Sequence, residues 1–157
     1  MAKRKVIKYT PEEIISGNRL IAEFMGFVFV DKYSFQTKPN GRTYDRGVLS
    51  YFSSWDKLMD VVDKIEEIGA SMEIRPRHSY INWFYSPKKT ITYTKGAGGG
   101  GGWTDPRKPF DCIGGKHYSR CVGVGETAEK FNVQTKIEAV YSNVVYFIEW
   151  YNKKVNK

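Results

Sequence analysis

The residues between Arg75 and Arg120 combine positive charge with aromatic rings, which is the strongest chemical signal in the chain. Only Asp105 and Asp111 oppose that charge within the segment. Cations neutralise phosphates and flat rings stack on nucleobases, so the combination suits a nucleotide pocket or a single-strand platform. The alternative is a solvated surface, because alternate aromatic residues of a strand often face the core and edge lysines deter aggregation. The pattern favours a phosphate-bearing ligand.

A glycine-rich loop, residues 95–103, lies inside this segment and contains five consecutive glycines. Residues 96–101 formally satisfy G-x-G-x-x-G, but no helical pattern follows, whereas a dinucleotide site places the pyrophosphate at a helix N-terminus. Unhindered backbone amides can still bend around an anion. The alternative is a hairpin tip without a ligand. The predicted phosphate-binding residues are Lys95, Gly98, Gly99, Gly100, Arg107, Lys108 and Arg120, and the predicted base-stacking residues are Trp103 and Tyr93.

A metal site or a catalytic centre has weaker support. Cys112, His117 and Cys121 are residue types that bind zinc, but a closed structural site needs four ligands. His78 or Asp111 would have to complete the set, and the sequence lacks a paired C-x-x-C. It also lacks G-x-S-x-G and H-E-x-x-H motifs. We therefore expect no catalytic residues, no cofactor and no metal, although metal binding by the two thiols and His117 is left open.

Three amphipathic helices are predicted to position these residues. Thr10 and Glu13 form a capping box before the first helix, which Gly26 ends, and Thr135 and Glu138 form another before the last. Serine caps begin the middle helix, whose other face is acidic. The apolar positions predicted for that helix are Trp55, Leu58, Met59, Val62 and Ile65.

Strand-like segments rich in aromatic and β-branched residues separate the helices. They are predicted at 27–32, 33–38, 72–75, 80–85, 90–94 and 118–124, with a further strand through Val48, Leu49 and Tyr51. Short connections favour hairpins. The sequence therefore predicts an α+β fold, a mainly antiparallel sheet with two to three helices packed against it.

Length and composition limit the number of domains and the class of protein. The 157 residues fit one domain, 1–157, with a basic N-terminal arm at 1–9, and the formal net charge is +8. No apolar stretch is long enough to span a membrane, and the first residues lack the apolar core of a secretory signal. Two cysteines give no disulfide framework. We expect a basic protein of the cytoplasm of a bacterial host, without a membrane partner.

Segments in all three helices support the bacterial host. Residues 17–26, 53–59 with 61–66, and 136–141 resemble small phage and prophage accessory proteins of the phage ABA-sandwich type, most familiar in phages of gut Bacteroidetes. The similarity covers the helices and leaves out residues from about 72 to 131. It implies a bacteriophage origin, and the family names no chemistry.

These observations combine into one hypothesis and two alternatives. The hypothesis is a non-catalytic phage counter-defence protein that binds and sequesters a nucleotide signal of the host. The first alternative is a nucleic-acid-binding module, and the second is a protein inhibitor of a host defence enzyme. A homo-oligomer is possible, and its interface is expected at Tyr146 and Trp150 of the last helix.

Overall fold

The computed structural model describes residues 5–29, 34–37, 43–45, 50–86, 89–92 and 116–154. Helices α1 (Pro11–Phe24), α2 (Trp55–Ile68) and α3 (Lys136–Lys154) lie at the three predicted places. The strands within these ranges are β1 (Val6–Ile7), β2 (Phe27–Phe29), β3 (Ser34–Thr37), β4 (Thr43–Asp45), β5 (Ser71–Arg75), β6 (His78–Ser86), β7 (Lys89–Thr92), β8 (Lys116–Val124) and β9 (Phe131–Val133). The predicted α+β class is confirmed.

The larger sheet has the strand order β1-β9-β8-β6-β5, and β7 also pairs with β6. Its centre is the antiparallel pair β6 and β8, which runs from His78 opposite Gly123 to Tyr85 opposite Lys116. Strand β9 is parallel to both β8 and β1, so the sheet is mixed rather than purely antiparallel. A smaller antiparallel sheet contains β2, β3 and β4.

A short turn makes the parallel pairing of β8 and β9 possible. Parallel neighbours usually need a crossover of about a dozen residues or more, yet only residues 125–130 connect these two strands. Gly125 turns the chain at a φ of 76°. The buried Asn132 amide then donates to the Glu129 carbonyl oxygen at 2.8 Å and accepts a hydrogen bond from Thr127 Oγ1. These side-chain hydrogen bonds hold the short connection between β8 and β9 in its turn.

The predicted strands need three corrections. Strand β1 lies inside the predicted basic arm, and β4 and β9 have no counterpart among the predictions. Tyr51 is buried but lies outside any strand, whereas Val48 and Leu49 fall outside the described residues. Segments of two or three residues are too short to show the alternation that identifies a strand, and only their neighbours in space make them one.

Helix α3 covers one face of the larger sheet and packs on β6 and β8. Ile81 and Trp83 of β6 and Phe147 of α3 are fully buried there, and the rings of Trp83 and Phe147 meet edge to face at 5.0 Å. Edge-to-face contact is a favoured geometry for aromatic pairs. The packing holds α3 directly above the strand that carries Arg120.

Two tryptophans are placed opposite to expectation. Trp55, predicted in the core of α2, is 39% exposed because it is the first residue of the helix, next to the N-cap Ser54. Trp150, predicted on an exposed interface, is 9% exposed and packs on Trp83 with ring centroids 5.0 Å apart. Val61, which the predicted stripe left out, is fully buried.

Both predicted capping boxes are present. The Thr10 amide donates to Glu13 Oε2 at 2.8 Å, and the Glu13 amide donates to Thr10 Oγ1 at 3.2 Å. Before α3, the Thr135 amide donates to Glu138 Oε2 and the Glu138 amide donates to Thr135 Oγ1, each at 3.3 Å. Local sequence alone determines these helix starts, so the prediction from spacing is confirmed.

We expect Thr10→Ala to lower the free energy of unfolding by about 1 kcal/mol, because the Glu13 amide at the start of α1 loses its acceptor, Thr10 Oγ1. Denaturant titration followed by circular dichroism measures the change. Ser16→Ala, at an exposed position of the same helix, is the control and should leave stability nearly unchanged. Equal stability of Thr10→Ala and the wild type would contradict the role given to this cap.

Candidate functional site

Arg120 is the one predicted site residue that the described part of the chain contains. The other predicted ligand residues, from Tyr93 to Lys108, fall outside the described residues, and so does the glycine-rich loop. Arg120 lies on β8, directly opposite Ile81 of β6. Alternation along a strand places it with Tyr118 and Val122 on the face that α3 covers.

Helix α3 supplies the hydrogen-bond partners of Arg120. Its Nη1 donates to Ser142 Oγ at 2.9 Å and to Asn143 Oδ1 at 3.3 Å. The Asn143 amide is fixed in turn, because its Nδ2 donates to the carbonyl oxygen and the hydroxyl of Ser79 at 2.9 and 3.1 Å. The guanidinium is therefore held between the sheet and the helix by neutral groups.

Two aromatic rings complete the surroundings of the guanidinium. Arg120 Cζ lies 4.7 Å from the Phe131 ring centroid and 4.9 Å from that of Tyr146. Both distances allow attraction between the cation and the ring faces. Arg120 Nε is buried and has no hydrogen-bond partner among the described residues. We name this group, formed by Arg120, Phe131, Ser142, Asn143 and Tyr146, the Arg120 cage.

The charge in the cage is not neutralised by an ion pair. Within the described residues no carboxylate lies at ion-pair distance from Arg120, and the ion pairs found there are Arg19 with Glu23 and Arg75 with Glu73. Burial lowers the pKa of Arg120, an effect that the charges of Tyr9, Tyr146 and Glu149 partly oppose. A buried charge is costly unless it is paired, so the cage holds positive charge that an anion would stabilise.

Two lysines extend the positive charge on either side of the cage. Lys116 Nζ lies 5.1 Å from the centroid of the Tyr118 ring, and Lys130 Nζ lies 5.6 Å from that of Phe131. Trp83 stacks on Tyr118 with centroids 5.4 Å apart and approaches Tyr146 at 6.1 Å, which joins the two ends. We name the resulting row of alternating charges and rings the cation–aromatic strip; its members are Lys116, Tyr118, Tyr146, Arg120, Phe131 and Lys130.

A groove of about 400 Å³ between α1 and α3 adjoins the cage. Tyr9 and Glu149 line it, and Tyr9 packs on the same small core cluster as Phe131 of the cage, so the groove lies beside the cage. Tyr141 packs across the groove edge to face against Tyr9, with ring centroids 5.7 Å apart. The remaining lining residues are Glu12, Glu13, Ser16, Gly17, Leu20 and Val145.

Strand geometry separates two of the candidate zinc ligands. His117 and Cys121 lie four residues apart on the extended strand β8, which spaces their Cα atoms by about 13 Å. Zinc holds its ligand atoms at about 2.0–2.3 Å, so these two residues cannot share an ion there. Within the described ranges no group of three histidine, cysteine or acidic residues is placed to hold a metal. Cys112 and Asp111 lie outside those ranges.

The surroundings of Cys121 disfavour the thiolate form of its side chain. Burial, followed by the charge and hydrogen bond of Glu129, raises its pKa to about 11. In a Cys112→Ser background, we expect Cys121 to react with iodoacetamide at pH 8 about 100-fold more slowly than free cysteine, because the thiolate is the reactive form. Mass spectrometry of timed samples gives the rate. A rate equal to that of free cysteine would contradict this assignment.

The partners of Arg120 were not predicted from the sequence. Phe131 belongs to β9, and Tyr146 was considered only as an interface residue. One signal was present in α3: Ser142 and Asn143 interrupt a run of apolar residues, and both are buried. Adjacent polar residues within a buried run indicate a buried polar partner, since such groups are nearly always hydrogen-bonded.

No family model, curated protein or solved structure matches the chain. The fold and site therefore define the class: an α+β protein with a mixed sheet and a half-buried arginine held by aromatic rings and neutral hydrogen-bond acceptors. Among the described helices, none combines the length and apolar character needed to cross a bilayer.

Proposed function

We propose that the protein is a non-catalytic binding protein for a phosphate-bearing ligand and that Arg120 is its principal phosphate contact. The observation that carries the proposal is the half-buried guanidinium of Arg120, which has an unpartnered Nε and no ion pair within the described residues. Phosphate oxygens bind guanidinium through short, charge-assisted hydrogen bonds. An arriving phosphate would offset the cost of keeping this charge buried.

A nucleotide fits the neighbourhood better than free phosphate does. The cation–aromatic strip offers further positive charge at Lys116 and Lys130 and an exposed ring at Tyr146. Micromolar binding requires about 8 kcal/mol. Charge-assisted hydrogen bonds supply about 1.5–3 kcal/mol each, and stacking on a ring adds about 1–3 kcal/mol per base. Three or four such contacts reach the required affinity.

The predicted loop remains part of the proposal. Strand β8 begins at Lys116, shortly after the segment that contains Trp103, Arg107 and Lys108. We keep these residues and the glycine-rich loop as predicted further ligands of the phosphate. In a phage protein, the role that this supports is sequestration by mass action of a nucleotide that the host makes on infection.

Mass spectrometry tests the proposal directly. The protein is purified from infected host cells and denatured, and the supernatant is analysed for small molecules. We expect a nucleotide in stoichiometric amount from the wild type and little from an Arg120→Met variant. Arg75→Met, which removes an exposed arginine paired with Glu73, is the matched control and should retain the nucleotide. A supernatant free of phosphate compounds would contradict sequestration.

A nucleic-acid-binding module is the second candidate, and the linear arrangement of the strip favours it. Lys116 and Arg120 are separated by about 13 Å along β8, far enough to contact different phosphates of one strand. Contact with many phosphates makes binding fall by orders of magnitude between about 50 and 200 mM salt. A pocket with one or two phosphate contacts should lose far less. Fluorescence titration of a single-stranded oligonucleotide at the two salt concentrations separates the candidates.

A further inference from the structure

We propose that the groove between α1 and α3 binds the base of the nucleotide and that its carboxylates select guanine. This inference rests on the proposed function, since it takes the phosphate to lie at Arg120. It adds the orientation of the ligand and the class of base. The site then has a positive end in the Arg120 cage and a negative end in the groove.

The two ends are close enough for one small ligand. Val145 of α3 lines the groove, and the next residue of the helix, Tyr146, contacts the guanidinium of Arg120. Tyr9 lines the groove as well and packs on the same small core cluster as Phe131 of the cage. A ligand whose phosphate is bound at the guanidinium can therefore extend into the groove on this side of α3.

The groove has the size and floor that a base requires. Its volume of about 400 Å³ falls within the range of about 300–1,000 Å³ that is typical of small-molecule sites. Leu20, Val145 and the ring of Tyr9 supply apolar and aromatic surface. Such surface stabilises a flat base and offers little to a phosphate.

The charged residues at the rim of the groove determine which end of the nucleotide lies there. Within the described residues, neither Glu12 nor Glu149 forms a hydrogen bond or an ion pair, whereas Glu13 is engaged by the Thr10 amide. Ionised carboxylates repel phosphate, so the base rather than the phosphate is expected at this rim. Ionised carboxylates accept hydrogen bonds and donate none. The rim therefore favours a base edge that presents donors.

Guanine is the base that meets this requirement best. Its N1–H and N2–H groups point the same way and match the two oxygens of one carboxylate, as in other bidentate pairs. Adenine places the acceptor N1 beside its amino group, so a carboxylate there meets one donor and one repelling lone pair. The same charges that exclude phosphate from the groove thus discriminate between the two purines.

Paired titrations of GMP and AMP test the inference, because the two ligands share one phosphate, one sugar and a purine. We expect the wild type to bind GMP at least about tenfold more tightly than AMP, as a bidentate base contact allows. The double variant Glu12→Gln, Glu149→Gln should lose that preference while binding AMP as well as the wild type or better. Glu67→Gln, an exposed change on α2, is the control and should keep the preference.

Inorganic pyrophosphate separates failure of the inference from failure of the proposed function. Equal binding of GMP and AMP by the wild type, or a preference that survives in the double variant, overturns the guanine assignment even when pyrophosphate binds and requires Arg120. If the wild type binds neither pyrophosphate nor the two nucleotides, the proposed function fails and the guanine assignment fails with it. Loss of the GMP preference in the double variant alone supports the assignment.

Discussion

Replacement of Arg120 with methionine should weaken binding of inorganic pyrophosphate by about 100-fold or more and leave the folded state as stable as the wild type. The loss of affinity follows because the guanidinium contributes two or more charge-assisted hydrogen bonds, each worth about 1.5–3 kcal/mol. Isothermal titration calorimetry at low salt measures the change. Lysine at the same position keeps the charge but lacks the planar fork, so Arg120→Lys should bind with intermediate affinity.

The expected stability of Arg120→Met distinguishes a binding residue from a structural one. Burial lowers the pKa of Arg120, so the fold holds the charged side chain at a cost. Methionine keeps an unbranched, polarisable chain against the rings of Phe131 and Tyr146. Asn143 retains its hydrogen bonds with Ser79. Replacing buried ionic groups by apolar ones is often neutral or stabilising by about 1–4 kcal/mol.

Denaturant titration of the same variants completes the test. We expect the free energy of unfolding of Arg120→Met to stay within about 1 kcal/mol of the wild type or to rise. Arg75→Met is again the matched control, because its guanidinium is exposed and should affect neither property. A loss of more than about 2 kcal/mol in Arg120→Met, with pyrophosphate binding retained, would make Arg120 a structural residue.

The elements that the sequence predicts well are those whose signals are local. The starts of α1 and α3 follow from two side chains three residues apart, and each capping box forms as the spacing indicates. The hairpin of β5 and β6 likewise connects strands that are adjacent in the sequence. In all these cases the partners lie within a few residues of each other, so a short window of sequence contains the whole interaction.

Contacts between segments that are distant in the sequence could not be predicted, because no short window of sequence contains both partners. Strand β9 forms because Asn132 closes the preceding turn, and this brings Phe131 beside Val122 of β8 and onto the guanidinium of Arg120. Composition identified Arg120 as a cation in a basic, aromatic segment. It carried no information on which helix would cover that strand, so the acceptors Ser142 and Asn143 were not assigned.

Periodicity alone also failed to rank exposure along a helix. Trp55 is predicted on the apolar stripe of α2 and Trp150 on an exposed surface of α3, yet Trp55 is 39% exposed and Trp150 9%. The difference arises from position, because Trp55 begins α2 whereas Trp150 lies over the sheet, where it meets Trp83 and Tyr118 at 5.0 and 5.1 Å. A hydrophobic pattern gives the direction of a side chain and leaves open whether another element covers it.

Helices generally prefer alanine to glycine, and Gly17 is a position where we expect glycine to give the more stable protein. Glycine inside an exposed helix costs about 1 kcal/mol relative to alanine, so Gly17→Ala would ordinarily stabilise α1. Here a Cβ would overlap the Tyr141 hydroxyl and lie 2.9 Å from Tyr141 Cζ. The ring is 1% exposed, and its hydroxyl donates to the Ile14 carbonyl oxygen at 3.2 Å, so it has no room to move.

Gly17→Ala should therefore lower the free energy of unfolding by about 1–3 kcal/mol, the cost of overpacking a filled core. Denaturant titration measures it, with Ser16→Ala as the exposed neighbour that should change little. Tyr141→Phe removes the hydroxyl that the new methyl group meets first, so the double variant should lose less stability than the two single changes added together. Strict additivity, or a stabilised Gly17→Ala, would mean that α1 and α3 are not packed as closely as the contact between Gly17 and Tyr141 requires.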